Sequence, residues 1–345
     1  MLRYSFIFYW LTIATLISAE AQSTGDAPPN FVIIYSDDQR YDALGCRAPD
    51  TAITPTLDSL CASGMYFENA FVTLSICSPS RAALLTGRYG SANGVTTFGK
   101  VRLNEGEQTF AQLLRELGYQ TGLVGKWHLA DSPTSLGFDY ARYFFSNGPW
   151  YNRTVIEEGK EKIAEGFIED YNARQAIEFL ESTSDQQAPY LLFYCPQLPH
   201  LDNHFNWDVT QETLARYENR EISLPQNWPD EDLAGKPDYL LEGRHRQKAL
   251  SYGYQNPDTL LYQTQRYYAA ITEMDAAMGR VLQKVRELPN ADNTYIIFMS
   301  DNGANGLNSK KIYPTYTEEY GSQFNNELTN RGFISSFTCL YAGWA

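Results

Sequence analysis

Four short apolar runs punctuate the chain, and each one stops at a cluster of polar residues. Phe31–Ser36 (FVIIYS) leads into Asp37 and Asp38, Thr121–Gly125 (TGLVG) into Lys126, Trp127 and His128, Tyr190–Cys195 (YLLFYC) into Pro199 and His200, and Tyr295–Ser300 (YIIFMS) into Asp301, Asn302 and Gly303. Apolar runs without polar alternation suit strands buried on both faces of a parallel sheet. Helical spacing fills the intervals. TFAQLLRELGYQ stops at Gly118, EDYNARQAIEFLES precedes the third run, and the longer amphipathic YYAAITEMDAAMGRVLQKVREL leads into the fourth. This alternation predicts an α/β fold, a mostly parallel central sheet flanked by helices. In such sheets ligands bind beyond the carboxyl ends of the strands, so the four polar clusters are expected to converge on one crevice.

A different pattern marks CSPSRAALLTGRYG, residues 77–90. Pro79 suits the first position of a helix, Ser78 the cap before it and Gly87 the residue past its end. Cys77 is thereby expected just outside a helix N-terminus, where free backbone N–H groups and the helix dipole favour an anion. A disulfide half, a thiolate nucleophile and the precursor of another group all remain open for it at this point.

Composition narrows the setting. With 345 residues, 43% hydrophobic and 20% charged, the chain can bury one large core or two smaller ones. A formal charge of −14 argues against nucleic acid or an anionic membrane as a general partner, and obliges an anionic substrate to find a local positive site. Residues 1–21 read as a signal peptide: Arg3, an apolar run over Phe6–Ser18, then the small-x-small Ala19-Glu20-Ala21. That run falls short of the ~18 residues of a membrane span, although a signal anchor is the alternative. Export to a secreted or periplasmic location is the expectation, with the catalytic domain over residues 22–345 and no stable membrane span. The five cysteines are Cys46, Cys61, Cys77, Cys195 and Cys339, an odd number that leaves at least one outside any intramolecular pairing.

The chemistry of the expected crevice follows from residue type. Asp37, Asp38, Asp301 and Asn302 offer only oxygen, which suits Ca²⁺ or Mg²⁺ rather than zinc. Either pair alone is also a common cap or turn sequence; together at two strand ends they read as a metal site. Arg81, Lys126, His128 and His200 add cations and hydrogen-bond donors fit to hold a tetrahedral anion.

On these residues the chain resembles the type I sulfatases of the alkaline phosphatase-like superfamily. CSPSRAALLTGR is similar to their signature, and DD after the first strand, GKWHL, PQLPH and SDNG follow in the family's order, over Asn30 to Ala345. The resemblance implies that a maturation enzyme oxidises Cys77 to formylglycine, an aldehyde whose hydrate carries two hydroxyls on one carbon. One hydroxyl would attack sulfur and displace the substrate alcohol; deprotonation of the other would expel the sulfate. It further implies metal ligation by Asp37, Asp38, Asp301, Asn302 and an oxygen at position 77, with Ca²⁺ ahead of Mg²⁺. Arg81 would stabilise the charged hydrate, and Lys126 would bridge nucleophile and sulfate. His128 would take the hydroxyl proton, and His200 would assist the leaving group. Lys310 and Lys311 lie too close to SDNG to supply the family's downstream sulfate-binding lysine. The chain is expected to stop short of that segment and of a C-terminal subdomain. LPQNWPDEDLAGKP (Leu224–Pro237) resembles carbohydrate sulfatases, whereas the C-terminal end looks more like arylsulfatases. The implied function is hydrolysis of sulfate monoesters, leaning to carbohydrate sulfates. The alternatives are a phosphomonoester or phosphonate-ester hydrolase on the same fold, or a non-catalytic remnant that binds sulfated glycans.

Overall fold

In the computed structural model the residues described are 27–99, 101–184, 188–204, 206–222, 256–304 and, as strand backbone, 338–342. Residues 1–21, expected to be a signal peptide, as well as Leu224–Pro237, Lys310 and Lys311, lie outside them.

The four apolar runs form the centre of one sheet: β1 (Asn30–Ser36), β3 (Gln120–Lys126), β7 (Tyr190–Cys195) and β8 (Thr294–Ser300). With β2 (Met65–Phe67), β4 (Tyr140–Phe144), β5 (Tyr151–Glu157), β6 (Lys160–Phe167) and β9 (Thr338–Ala342), the order is β2-β9-β8-β1-β7-β3-β4-β5-β6. The pairs β8–β1, β1–β7, β7–β3 and β3–β4 are parallel. A β4–β5–β6 meander closes one edge, and β9 with β2 the other, all antiparallel. The four strands that end in polar clusters are thus immediate neighbours, and their carboxyl ends form one rim.

The described helices are α1 (Pro55–Ser63), α2 (Cys77–Thr86), α3 (Gly90–Asn93), α4 (Phe110–Glu116), α5 (Ile168–Thr183), α6 (Gln211–Ala215) and α7 (Pro257–Glu287). Alternation along β1 shows how they cover the sheet. Val32 and Ile34 face a core that includes Phe179 and Leu180 of α5 and Met274, Met278 and Leu282 of α7. Ile33 and Tyr35 face a second core with Ala82 and Leu85 of α2 and Ala111 of α4. Both faces are therefore apolar, which is why these strands read as unbroken hydrophobic runs. α7 begins ten residues before its clearest periodicity. Pro257 occupies its first turn, and the Asn256 side chain accepts from the N–H groups of Asp258 and Thr259.

Candidate active site

The turn into α2 differs from expectation in one respect. Cys77 is the first residue of the helix, with Ile76 as the extended N-cap at φ −141° and ψ 137°. Ser80 N–H closes the first turn on Ile76 O at 2.9 Å. Ser78 does not cap; its hydroxyl donates to His128 O at 2.7 Å and ties the helix to the loop after β3. Gly87 ends α2 in the left-handed region at φ 65°. Cys77 and Arg81 are held one turn apart, both buried.

Around Cys77 the strand ends deliver their side chains as the sheet order requires. Its thiol lies 3.4 Å from Asp37 Oδ1 and 3.5 Å from Lys126 Nζ, and Lys126 also pairs with the second Asp37 oxygen. Gly125, at φ 106°, makes the approach of Lys126 possible. A Cβ there would stand 2.0 Å from Cys195 O on the neighbouring strand, so no other residue fits. Arg81 donates to Lys126 O at 2.8 Å and to Asp301 Oδ2 at 3.1 Å. Asp38 N–H donates to Asp301 Oδ1 at 3.1 Å, and Asn302 Nδ2 donates to Asp38 Oδ1 at 2.5 Å. His200 Nε2 stands 3.5 Å from Asp38 Oδ2. Its Nδ1 is 2.7 Å from Leu201 O; because a carbonyl only accepts, Nδ1 carries a proton and Nε2 is left to face the cluster.

The structure therefore brings together Asp37, Asp38, Cys77, Arg81, Lys126, His200, Asp301 and Asn302. His128 adjoins them through its backbone, at φ 57°, while its ring packs edge-on against Phe145.

Three carboxyls face two permanent cations here, all essentially out of water. Burial pushes the Asp37 carboxyl up, but the positive charges of Lys126, His200 and Arg81 outweigh it and hold it well below the usual carboxylate range. Asp301 goes the other way: burial and then the Asp37 charge raise it far above that range, against Arg81 and Lys126. The two carboxyls are thus driven in opposite directions by the same buried set of charges. Burial, and next the charge of Asp37, push the Cys77 thiol well up. Among the described cysteines Cys77 is free of any disulfide, and its burial disfavours the thiolate that a nucleophilic cysteine needs.

The carboxylates gathered here suit a hard divalent cation, although the described cluster also includes a thiol and an imidazole and leaves out Asp301 and Asn302. Asp37, Asp38, Cys77 and His200 each offer a donor atom within 4.8 Å of the others. Asp38 Oδ2 and Asn302 Oδ1 are buried without a hydrogen-bond partner among the described residues. Buried oxygens left unsatisfied are costly unless something else, such as a cation, takes them up. A cation would also supply positive charge among these buried carboxyls. Arg81 Nε is a further buried donor without a described acceptor.

Motif reading did not single out Glu169, Arg153 or Gln197, whose hydrogen bonds hold the loop between β7 and His200. Gln197 lies inside PQLPH, but nothing local to Glu169 or Arg153 marks them.

The model of the Sulfatase family matches residues 29–328. The N-acetylglucosamine-6-O-sulfatase of Bacteroides thetaiotaomicron is 26% identical, over 85% of this chain and 61% of its own length. Arylsulfatase G of Rattus norvegicus is 32% identical, over 80% of this chain and 51% of its own. The solved structure of BT4656 in complex with its substrate D-glucosamine-2-N,6-O-disulfate superposes with a TM-score of 0.66 at 22% identity, covering 91% of this chain and 71% of that one. The chain spans about half to three-fifths of the length of these two curated relatives.

Proposed function

The chain belongs to the sulfatase family, and from that premise we propose that it hydrolyses sulfate monoesters of carbohydrates, after export and after conversion of Cys77 to formylglycine by a maturation enzyme. The observation that carries this reading is the buried meeting of Cys77 with Asp37 and Lys126 at the N-terminus of α2. The carbohydrate class is supported by the relative named for N-acetylglucosamine 6-sulfate and by the fold neighbour bound to a sulfated glucosamine.

At position 77 the aldehyde hydrate supplies a hydroxyl nucleophile and a second hydroxyl whose deprotonation releases sulfate. Asp37, Asp38, Asp301 and Asn302 would hold a divalent cation, taken here as Ca²⁺, that polarises sulfate oxygen. The remaining work falls to the side chains. Lys126 and Arg81 present positive charge to the nucleophile and to the sulfate in a dry pocket, where such charge acts at low effective dielectric. His128 accepts the hydroxyl proton. His200, with Nδ1–H fixed on Leu201 O, donates from Nε2 to the departing ester oxygen when doubly protonated.

The test is peptide mass spectrometry of the protein co-produced with a formylglycine-generating enzyme. Residue 77 is expected as the aldehyde. A quantitative thiol there, in protein that hydrolyses para-nitrophenyl sulfate, contradicts the proposal.

A further inference from the structure

The loop that carries His200 is built around a carboxylate that the chemistry above does not use. Glu169, in the first turn of α5, is fully buried. Its Oε1 accepts the backbone N–H groups of both Gln197, at 2.7 Å, and Leu198, at 3.2 Å; its Oε2 accepts from Asn172 at 2.9 Å. Gln197 O in turn accepts His200 N–H at 3.0 Å, closing a tight turn that ends on the histidine. One carboxylate therefore fixes the two peptide units from which that turn starts.

The Gln197 side chain braces the same turn. Arg153 donates to Gln197 Oε1, and Gln197 Nε2 donates to Gly148 O at 3.0 Å and to Leu201 O at 3.4 Å. Leu201 O is also the acceptor that fixes the His200 tautomer. The Arg153 guanidinium lies 3.7 Å from the centroid of the Phe144 ring and donates to Ser146 O at 2.8 Å. Trp207 Nε1 holds Pro199 O at 2.7 Å from the other side. Burial pushes the Glu169 carboxyl up to about 7, so this acid is costly to ionise where it sits, and an apolar packing residue would fill the volume at less cost. What a carboxylate adds is a rigid double acceptor at a helix N-terminus, where the dipole favours it.

We propose that Glu169 is a positioning residue for His200: by gripping Gln197 and Leu198 N–H it sets the turn that keeps imidazole Nε2 on the line of the departing ester oxygen. This rests on the leaving-group role given to His200 above. Glu169 does not touch substrate.

Leaving-group dependence separates this role from a merely structural one. An acid that protonates the departing oxygen matters more for phenyl sulfate than for para-nitrophenyl sulfate, whose phenolate leaves unaided. With the aldehyde-bearing protein, kcat is measured on both esters for wild type, His200→Ala, Glu169→Gln and Glu169→Ala, alongside Tm. His200→Ala is expected to lower the phenyl to para-nitrophenyl kcat ratio by roughly tenfold or more. Glu169→Ala is expected to lower it in the same direction by about three- to tenfold, because a misplaced catalytic group loses rate steeply with distance. Glu169→Gln keeps a carbonyl oxygen for the same N–H groups, is expected to fall between the alanine variant and wild type, and is the variant that decides the matter should Tm show Glu169→Ala unfolded. If His200→Ala shifts the ratio but neither Glu169 variant does, or if both esters slow equally, the positioning role is overturned while the role of His200 stands. If His200→Ala leaves the ratio unchanged, the acid role fails, and the proposal with it.

Discussion

Asp38 sits at φ 64°, a left-handed conformation that a residue with a Cβ adopts at a cost of roughly 1–3 kcal/mol. Three contacts over-determine it: its N–H on Asp301, its carbonyl under the Tyr267 hydroxyl at 3.0 Å, and Oδ1 under Asn302. Its Oδ2 is buried 3.5 Å from His200 Nε2 without a hydrogen bond among the described residues, which suits the cation-ligand role proposed for it. Removal of divalent ions by a chelator is accordingly expected to lower Tm and abolish sulfatase activity. Ca²⁺ at about a hundred times its dissociation constant should restore about 2.7 kcal/mol of stability to wild type and far less to Asp38→Ala. A wild-type Tm indifferent to chelator contradicts the assignment. At this scale the residues that abut strand ends, together with Cys77 and Arg81, were legible because their chemistry is adjacent in sequence to a strong hydrophobic signal. Ser78 on His128 O and Glu169 on Gln197 were not. Each joins residues far apart in sequence, and neither partner carries a local signal for the other.

Among the elements, those that bury a whole face announced themselves. β7 matches its apolar run residue for residue, and β1, β3 and β8 exceed theirs by one or two positions at the ends. β5 and β6 went unread because YNRTVIE and KEKIAEGF keep few side chains inside and show no run to find. The start of α2 was misplaced because Ser78, a good capping residue by type, has a stronger tertiary acceptor. α1 shows a similar substitution: Thr54 makes no side-chain cap, and Asp275 of α7 instead accepts the N–H groups of Thr56 and Leu57, both at 2.9 Å. Asp275→Ala is expected to cost about 1–3 kcal/mol in denaturant unfolding, the penalty of two stranded donors. Burial pushes the Asp275 carboxyl up to about 6. The folded state thus holds this proton more tightly than the unfolded one, so the group's contribution is full below its usual carboxylate value and is lost as pH rises through about 6. The stability of wild type relative to Asp275→Asn should therefore decline between about pH 4 and 7. A flat or rising difference contradicts the burial argument.

On the scale of the molecule, a chain of net charge −14 holds Arg81, Lys126 and His200 in buried contact with Asp301, Asp37 and Asp38. On the proposed function, an anionic ester would gain nothing from the general field and would depend on these local donors. Among the described residues no helix is long and apolar enough to cross a membrane. Four neighbouring strands put Asp37, Lys126, His200 and Asp301 on one rim, and α2 lowers Cys77 into their midst. The central claim is that position 77 carries the nucleophile and that its second hydroxyl is needed for release. Cys77→Ser keeps one hydroxyl and lacks the other. Mixed with excess para-nitrophenyl sulfate, this variant is expected to release about one equivalent of nitrophenol and then stop, with sulfate found on the substituted side chain at position 77 by peptide mass spectrometry. Sustained turnover near the wild-type rate, or a burst with no sulfate at that position, would contradict the account.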